Sequence, residues 1–181
     1  MEHLTSGWRL ASKASGGVDG NRSTALTPAP GLTLFETIDQ SDLPDDETLV
    51  IERRPLVFAL LNIYPYTSGH VMVLPRRAVP KITELTEDEH DALWDLVRVA
   101  AKACEQAFAP DGLNVGVNQG TAGGASQPEH LHVHVVPRWS ADTNFMTATA
   151  DIRVLPMTLL DAWERIRDVW PALDQAESDA V

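Results

Sequence analysis

Cysteine is nearly absent. Of 181 residues only Cys104 carries a thiol, which excludes an internal disulfide and any zinc site built on cysteines. Positive charge is scarce too. Fourteen Lys and Arg stand against 26 Asp and Glu, a net charge of −12, whereas a domain whose main partner is duplex nucleic acid normally carries a basic face. No apolar run approaches the roughly 18 residues that a membrane helix needs. No charged segment leads into an apolar one at the amino end, as a secretory signal would. These absences make a soluble, cytoplasmic protein the expectation, with neither nucleic acid nor membrane as partner. What is present is ordinary for a globular chain: 44% of residues are apolar and 22% charged, enough to build one core with extensions.

Residues 1–31 read as an extension. Ser6 to Thr27 is rich in Ser, Gly, Ala and Thr without apolar period, and it runs into Pro28-Ala29-Pro30-Gly31. Such a stretch buries too little to offset its ordering entropy alone. Trp8 is the exception, an aromatic suited to docking on its own domain or on a partner subunit. An acidic loop, Asp39 to Glu47, follows. Thr48 to Glu52, Leu56 to Leu61 and Val71 to Leu74 read as short strands. Thr86 to Phe108 reads as a helix, opened by a Thr86/Glu89 capping box and patterned by Leu93, Leu96, Val97, Ala100, Ala101 and Cys104. Leu113 to Val117 and Leu131 to Val136 are two further strands. Met157 to Trp170 is a second helix, expected to stop at Pro171; it packs on its own sheet or serves as a partner-binding helix. The order does not alternate as βαβ units do. It predicts an α+β domain over residues 32–171, a five-stranded antiparallel sheet with two packed helices, and a polar acidic tail over 172–181.

The charge is unevenly placed. From Arg53 to Thr83 there is no acid, but there are Arg53, Arg54, Arg76, Arg77 and Lys81; from Gly112 to Ala141 the only acid is Glu129. Either strands disfavour acids or an anionic ligand sits there. Within the second segment, His130-Leu131-His132-Val133-His134 alternates polar and apolar, so a strand projects three imidazoles from one face. Imidazole can serve as nucleophile, general acid–base group or metal ligand. His70 or His90 could complete a metal set, yet the carboxylates that usually orient metal-bound imidazoles are scarce. The loop ahead, Asn118 to Gln127, is small, polar and glycine-rich, and its backbone amides suit phosphate oxygens.

At these residues the sequence resembles the histidine triad (HIT) superfamily of nucleotide hydrolases and transferases. The pattern His130 to Val136 resembles its signature. Phe58 to Asn62, Pro65 and Ser68 to Pro75 resemble its other block, and the resemblance covers roughly residues 48–140. Asn62-Ile63-Tyr64-Pro65-Tyr66, Asn114 to Asn118 and Pro137-Arg138-Trp139 look most like the actinobacterial diadenosine tetraphosphate phosphorylase branch. The resemblance implies His132 as nucleophile carrying a covalent nucleotidyl intermediate, with His130 and His134 on phosphate oxygens and the leaving group, and His70 orienting the triad. It implies Asn62 at the ribose and Asn118 and Ser126 at the phosphates, within a loop that includes Gly124, Ala125 and Gln127. Trp139 would pack on a nucleobase. It implies no metal or cofactor, phosphate as a possible co-substrate, and a two-fold dimer with a continuous sheet. Related bacterial proteins carry a zinc-binding Cys-x-x-Cys ahead of the first strand; the region around Leu32 to Thr37 has no cysteine. A nucleoside phosphoramidate or nucleotide-ester hydrolase, a non-catalytic nucleotide-binding protein and a histidine metalloenzyme are the other readings.

Overall fold

The computed structural model describes residues 26–142 and 155–178. Most of the extension, Trp8 included, lies outside the described residues. Two short helices come first, α1 (Leu34–Asp39) and α2 (Asp45–Thr48); the sequence predicts a loop over Asp39 to Glu47 and a strand from Thr48, and it assigns no element to residues 34–38. The signal for α1 was present: Thr33 accepts from the Glu36 amide and Glu36 reaches back to the Thr33 amide, a complete capping box.

Five strands follow: β1 (Val50–Arg53), β2 (Val57–Leu61), β3 (Val71–Pro75), β4 (Gly112–Val117) and β5 (Val133–Arg138). They form one antiparallel sheet in the order β1-β2-β3-β5-β4. Between β3 and β4 runs the long helix α3 (Glu87–Phe108), capped by Thr86 and Glu89 as its sequence predicts. After β5 comes α4 (Leu159–Ser178).

Two boundaries differ from the sequence reading. Helix α4 does not stop at Trp170 but passes through Pro171 to Ser178. Proline's fixed φ is itself helical; what it removes is one hydrogen bond to the preceding turn. The strand expected from Leu131 begins instead at Val133. The Leu131 amide donates to the Val79 carbonyl rather than to a sheet neighbour, so residues 130–132 enter the sheet through loop contacts.

Strand alternation divides the core in two. One face presents Val57, Ala59, Leu61, Val71, Val73, Val133 and Val135 to Leu93, Leu96, Ala100, Cys104 and Ile166 of α3 and α4. Helix α4 is thus part of its own core, and Trp163 and Arg167 donate to the Val50 and Ile51 carbonyls. The other face carries Val50, Phe58, Leu60, Met72 and Leu74 beneath Phe35 of α1. Gly69 turns the chain into β3 at φ +76°, where any side chain would run into the Phe108 ring.

The basic residues of the acid-free segment make no anion-binding patch. Arg53 pairs with Asp39 and Asp45, Arg54 with Glu52, Arg76 with Asp39, Arg77 with Glu89 and Lys81 with Glu84. Acids outside the segment neutralise it.

Candidate active site

The second sheet face and α1 enclose a cavity of about 160 Å³. Its apolar end is built by Leu34, Phe35 and Ile38 of α1 with Leu60 and Met72 of the sheet; its polar end holds Asn62, Tyr66, Asn118, Ser126, His132 and His134. No Asp, Glu, Lys or Arg lines it. Sequence reasoning missed the α1 wall and Tyr66. Leu34 and Phe35 each stand one helical turn from Ile38, and the capping box at Thr33 is the one sequence signal that marks where this face begins.

Four histidines converge. His130 is fully buried, and His70, His132 and His134 are 1%, 3% and 7% exposed. The His132 and His134 ring centres lie 4.8 Å apart and those of His134 and His70 5.0 Å apart. Register explains the approach: His134 pairs with Met72 of β3 and Gly116 of β4, so its side chain shares the α1 face. His90 is not part of the group; it is exposed on α3 beside Asp91 and Trp94.

Matching donors to acceptors assigns the protons. His132 Nδ1 lies 2.9 Å from the His130 carbonyl, which only accepts, so Nδ1 carries hydrogen and in the neutral ring the lone pair falls on Nε2. His130 Nε2 donates to the Pro75 carbonyl at 2.8 Å, which makes Nδ1 an acceptor for the Thr33 hydroxyl at 2.9 Å. His70 Nδ1 accepts from the Tyr66 amide at 3.1 Å, so its Nε2–H donates to His134 Nδ1 at 3.0 Å. His134 therefore keeps hydrogen on Nε2. Asn118 Nδ2 stands 3.3 Å from it and donates to the Tyr66 hydroxyl at 3.4 Å.

Burial holds the His130 pKa below the usual imidazole value, against the opposing pull of the Pro75 carbonyl and the Glu36 charge. The ring is neutral at physiological pH. The Glu36 carboxyl would be raised by its partial burial, but amide donors at Thr33 and Ala78 and the Thr33 hydroxyl outweigh that and lower it.

The remaining expected residues fall unequally. Asn62 lines the cavity with its Oδ1 taken by the Tyr64 amide at 2.9 Å. Gly124, Ser126 and Gln127 line it also, whereas Ala125 and Trp139 do not. The Trp139 backbone is held in a turn by Asp142, itself paired with Arg138. The loop is not an open cradle of amides: those of Gly123 and Ala125 donate to the Gly120 carbonyl and that of Gly124 to Thr121. His130 does not reach the cavity either, because both ring nitrogens are engaged behind its wall.

Comparison with known proteins follows the same lines. The family model described as HIT domain matches residues 44–141. A Mycobacterium tuberculosis protein named AP-4-A phosphorylase is 37% identical over 170 residues, 94% of this chain and 85% of that one. The asymmetrical bis(5'-nucleosyl)-tetraphosphatase of Schizosaccharomyces pombe is 39% identical over 93 residues, 51% of this chain and 50% of its own. Among solved structures, a zinc-bound histidine triad family protein from Mycobacterium smegmatis superposes with a TM-score of 0.64 at 25% identity, covering 80% of this chain and 96% of that one. Among the described residues here, no group of three or more His, Cys, Asp or Glu is arranged to hold a metal ion.

Proposed function

The chain belongs to the HIT domain family of nucleotide-handling enzymes, and from that premise we propose that it cleaves diadenosine tetraphosphate with inorganic phosphate as acceptor, releasing ATP and ADP. The observation that carries the reading is the His132 imidazole on the cavity wall, its Nδ1–H held by the His130 carbonyl and its lone pair on Nε2. That is the arrangement of a nucleophile ready at neutral pH.

In this reading the apolar end of the cavity takes an adenine, and Asn118, Ser126 and His134 face the phosphates. His132 Nε2 attacks the α-phosphorus; its bond to phosphorus forms as the bond to the bridging oxygen breaks, and ATP leaves. Phosphate then displaces the histidine, giving ADP and restoring the imidazole. Neither step draws on a metal or cofactor, and the uncharged wall lets neutral imidazoles act without competing carboxylates. The reading includes a cytoplasmic location and a homodimer joined through the edge of the sheet. Among the described residues no helix is long and apolar enough to cross a membrane.

Incubating the protein with diadenosine tetraphosphate, with and without millimolar phosphate, tests the proposal. ATP and ADP appearing only with phosphate supports it. Release of AMP without phosphate would make the protein a hydrolase, and no cleavage under either condition would overturn the substrate.

A further inference from the structure

The Thr33 hydroxyl stands between two groups that both want its hydrogen. His130 Nδ1 lies 2.9 Å away and Glu36 Oε2 3.0 Å away, while the hydroxyl oxygen accepts from the Glu36 amide at 3.2 Å. Glu36 is fixed in turn by the Thr33 amide at 2.9 Å and the Ala78 amide at 3.2 Å. Behind the imidazole, Nε2 is committed to the Pro75 carbonyl, and the Phe35 ring packs edge-on at 5.5 Å. With Nε2 committed, Nδ1 is the position at which His130 gains or loses a proton, and Thr33 meets it there from 97 residues away in sequence.

The consequence reaches His132. The main-chain carbonyl that holds the His132 Nδ1–H belongs to His130, so whatever anchors the His130 ring also anchors the nucleophile's orienting group. We propose that Thr33 is a positioning residue for the reaction: its hydroxyl donates to His130 Nδ1, keeps that histidine neutral with hydrogen on Nε2, and thereby fixes the carbonyl on which His132 is aligned. This inference rests on the nucleotidyl-transfer reading above. The capping box of α1 is therefore also a support of the triad. Were His130 to take up a proton, Nδ1–H would donate to Thr33 and the hydroxyl would rotate to Glu36. The charges facing His130 are then Glu36 and Glu129, which favour the proton, and His132, which opposes it.

Three variants of the full chain separate this role from helix capping. Thr33→Ser keeps both cap and donor. Thr33→Val loses both. Thr33→Asp keeps a strong cap but only accepts, so it demands hydrogen on Nδ1 and favours the imidazolium. Side-chain ¹⁵N NMR of the histidines reads the His130 tautomer, and steady-state phosphorolysis reads kcat and KM across pH.

Thr33→Ser should match the wild type. Thr33→Val should strip His130 Nδ1 of its donor, read as a downfield shift of that ¹⁵N resonance while the Pro75 carbonyl keeps hydrogen on Nε2, and should lower kcat about tenfold or more, the scale on which an orienting partner acts. KM should stay within about twofold, since the lost contact does not bind substrate. Thr33→Asp should show His130 doubly protonated at neutral pH, with kcat recovering as pH rises. An unchanged His130 Nδ1 resonance or a wild-type kcat in Thr33→Val, or wild-type kcat and pH profile in Thr33→Asp, would overturn the proposal. The NMR arm needs no substrate, so a wild-type protein inert toward diadenosine tetraphosphate would sink the substrate reading while still deciding whether Thr33 donates to His130 Nδ1.

Discussion

At the scale of single residues, alternation places His132 and His134 on one face but says nothing of what stands behind each. His130, His132 and His134 look equivalent in the sequence. In the structure His130 is sealed behind the wall with both nitrogens bonded, His134 is wired to His70 and Asn118, and His132 carries its lone pair on Nε2. Spacing could not tell them apart, because the partners that do, Thr33, Pro75 and His70, come from distant segments. The difference is testable. His132→Ala should lower turnover by about a thousandfold or more, the scale of losing a covalent nucleophile. His132→Asn should still fold and bind nucleotide. Rapid quenching of wild-type protein with substrate should leave an added nucleotidyl mass on the peptide containing His132. Turnover surviving in either variant would remove His132 from the chemistry.

Elements were legible where local chemistry and tertiary packing agree. Helix α3 has a capping box, an apolar stripe and an αL C-cap at Ala109, and its start and end match the sequence. Helix α1 opens with the same capping signature, but its six residues give too little period to read. The β5 start was misplaced because Leu131 bonds to a loop carbonyl, which no strand pattern encodes. Strand β4 raises a different question. Among the described residues it is an edge of the sheet, Leu113-Asn114-Val115-Gly116-Val117, and Val115 is 45% exposed. An uncharged apolar edge invites pairing with another strand. Light scattering should therefore give twice the mass of the chain. Val115→Lys would set like charges along the joined edges and should shift the population to monomer. A wild-type monomer at micromolar concentration would rule the dimer out.

Over the whole molecule, the sequence shows a net charge of −12 but not which acids matter. Three groups have shifts that bear on stability. Glu89 is buried against Arg77, whose hydrogen bonds, together with the Thr86 amide and against the cost of burial, lower its pKa to about 2. Glu36 is lowered by the amides and hydroxyl around α1, and His130 is lowered by burial. For each, the unfolded chain binds its proton first as pH falls, so each contributes stability that is lost on acidification. The His130 contribution begins to go below about pH 6.5. That of Glu89 goes between its ordinary 4.5 and about 2. Discounted for the exposed guanidinium of Arg77, the Glu89 contribution is on the order of 2 kcal/mol. An opposing effect exists, because protonating surface acids relieves self-repulsion in an acidic chain. At an ionic strength of about 0.15 M that long-range repulsion is screened beyond roughly 8 Å, while the Arg77–Glu89 contact is not. The specific contacts should therefore win. Urea midpoints measured at that salt should hold steady down to near neutrality, decline gently through the imidazole range and fall most steeply below about pH 4.5. In Glu89→Gln the stability at neutral pH should be lower and the steep acid limb shallower. A Glu89→Gln profile parallel to the wild type would mean that the acid sensitivity is set by surface charge rather than by this pair.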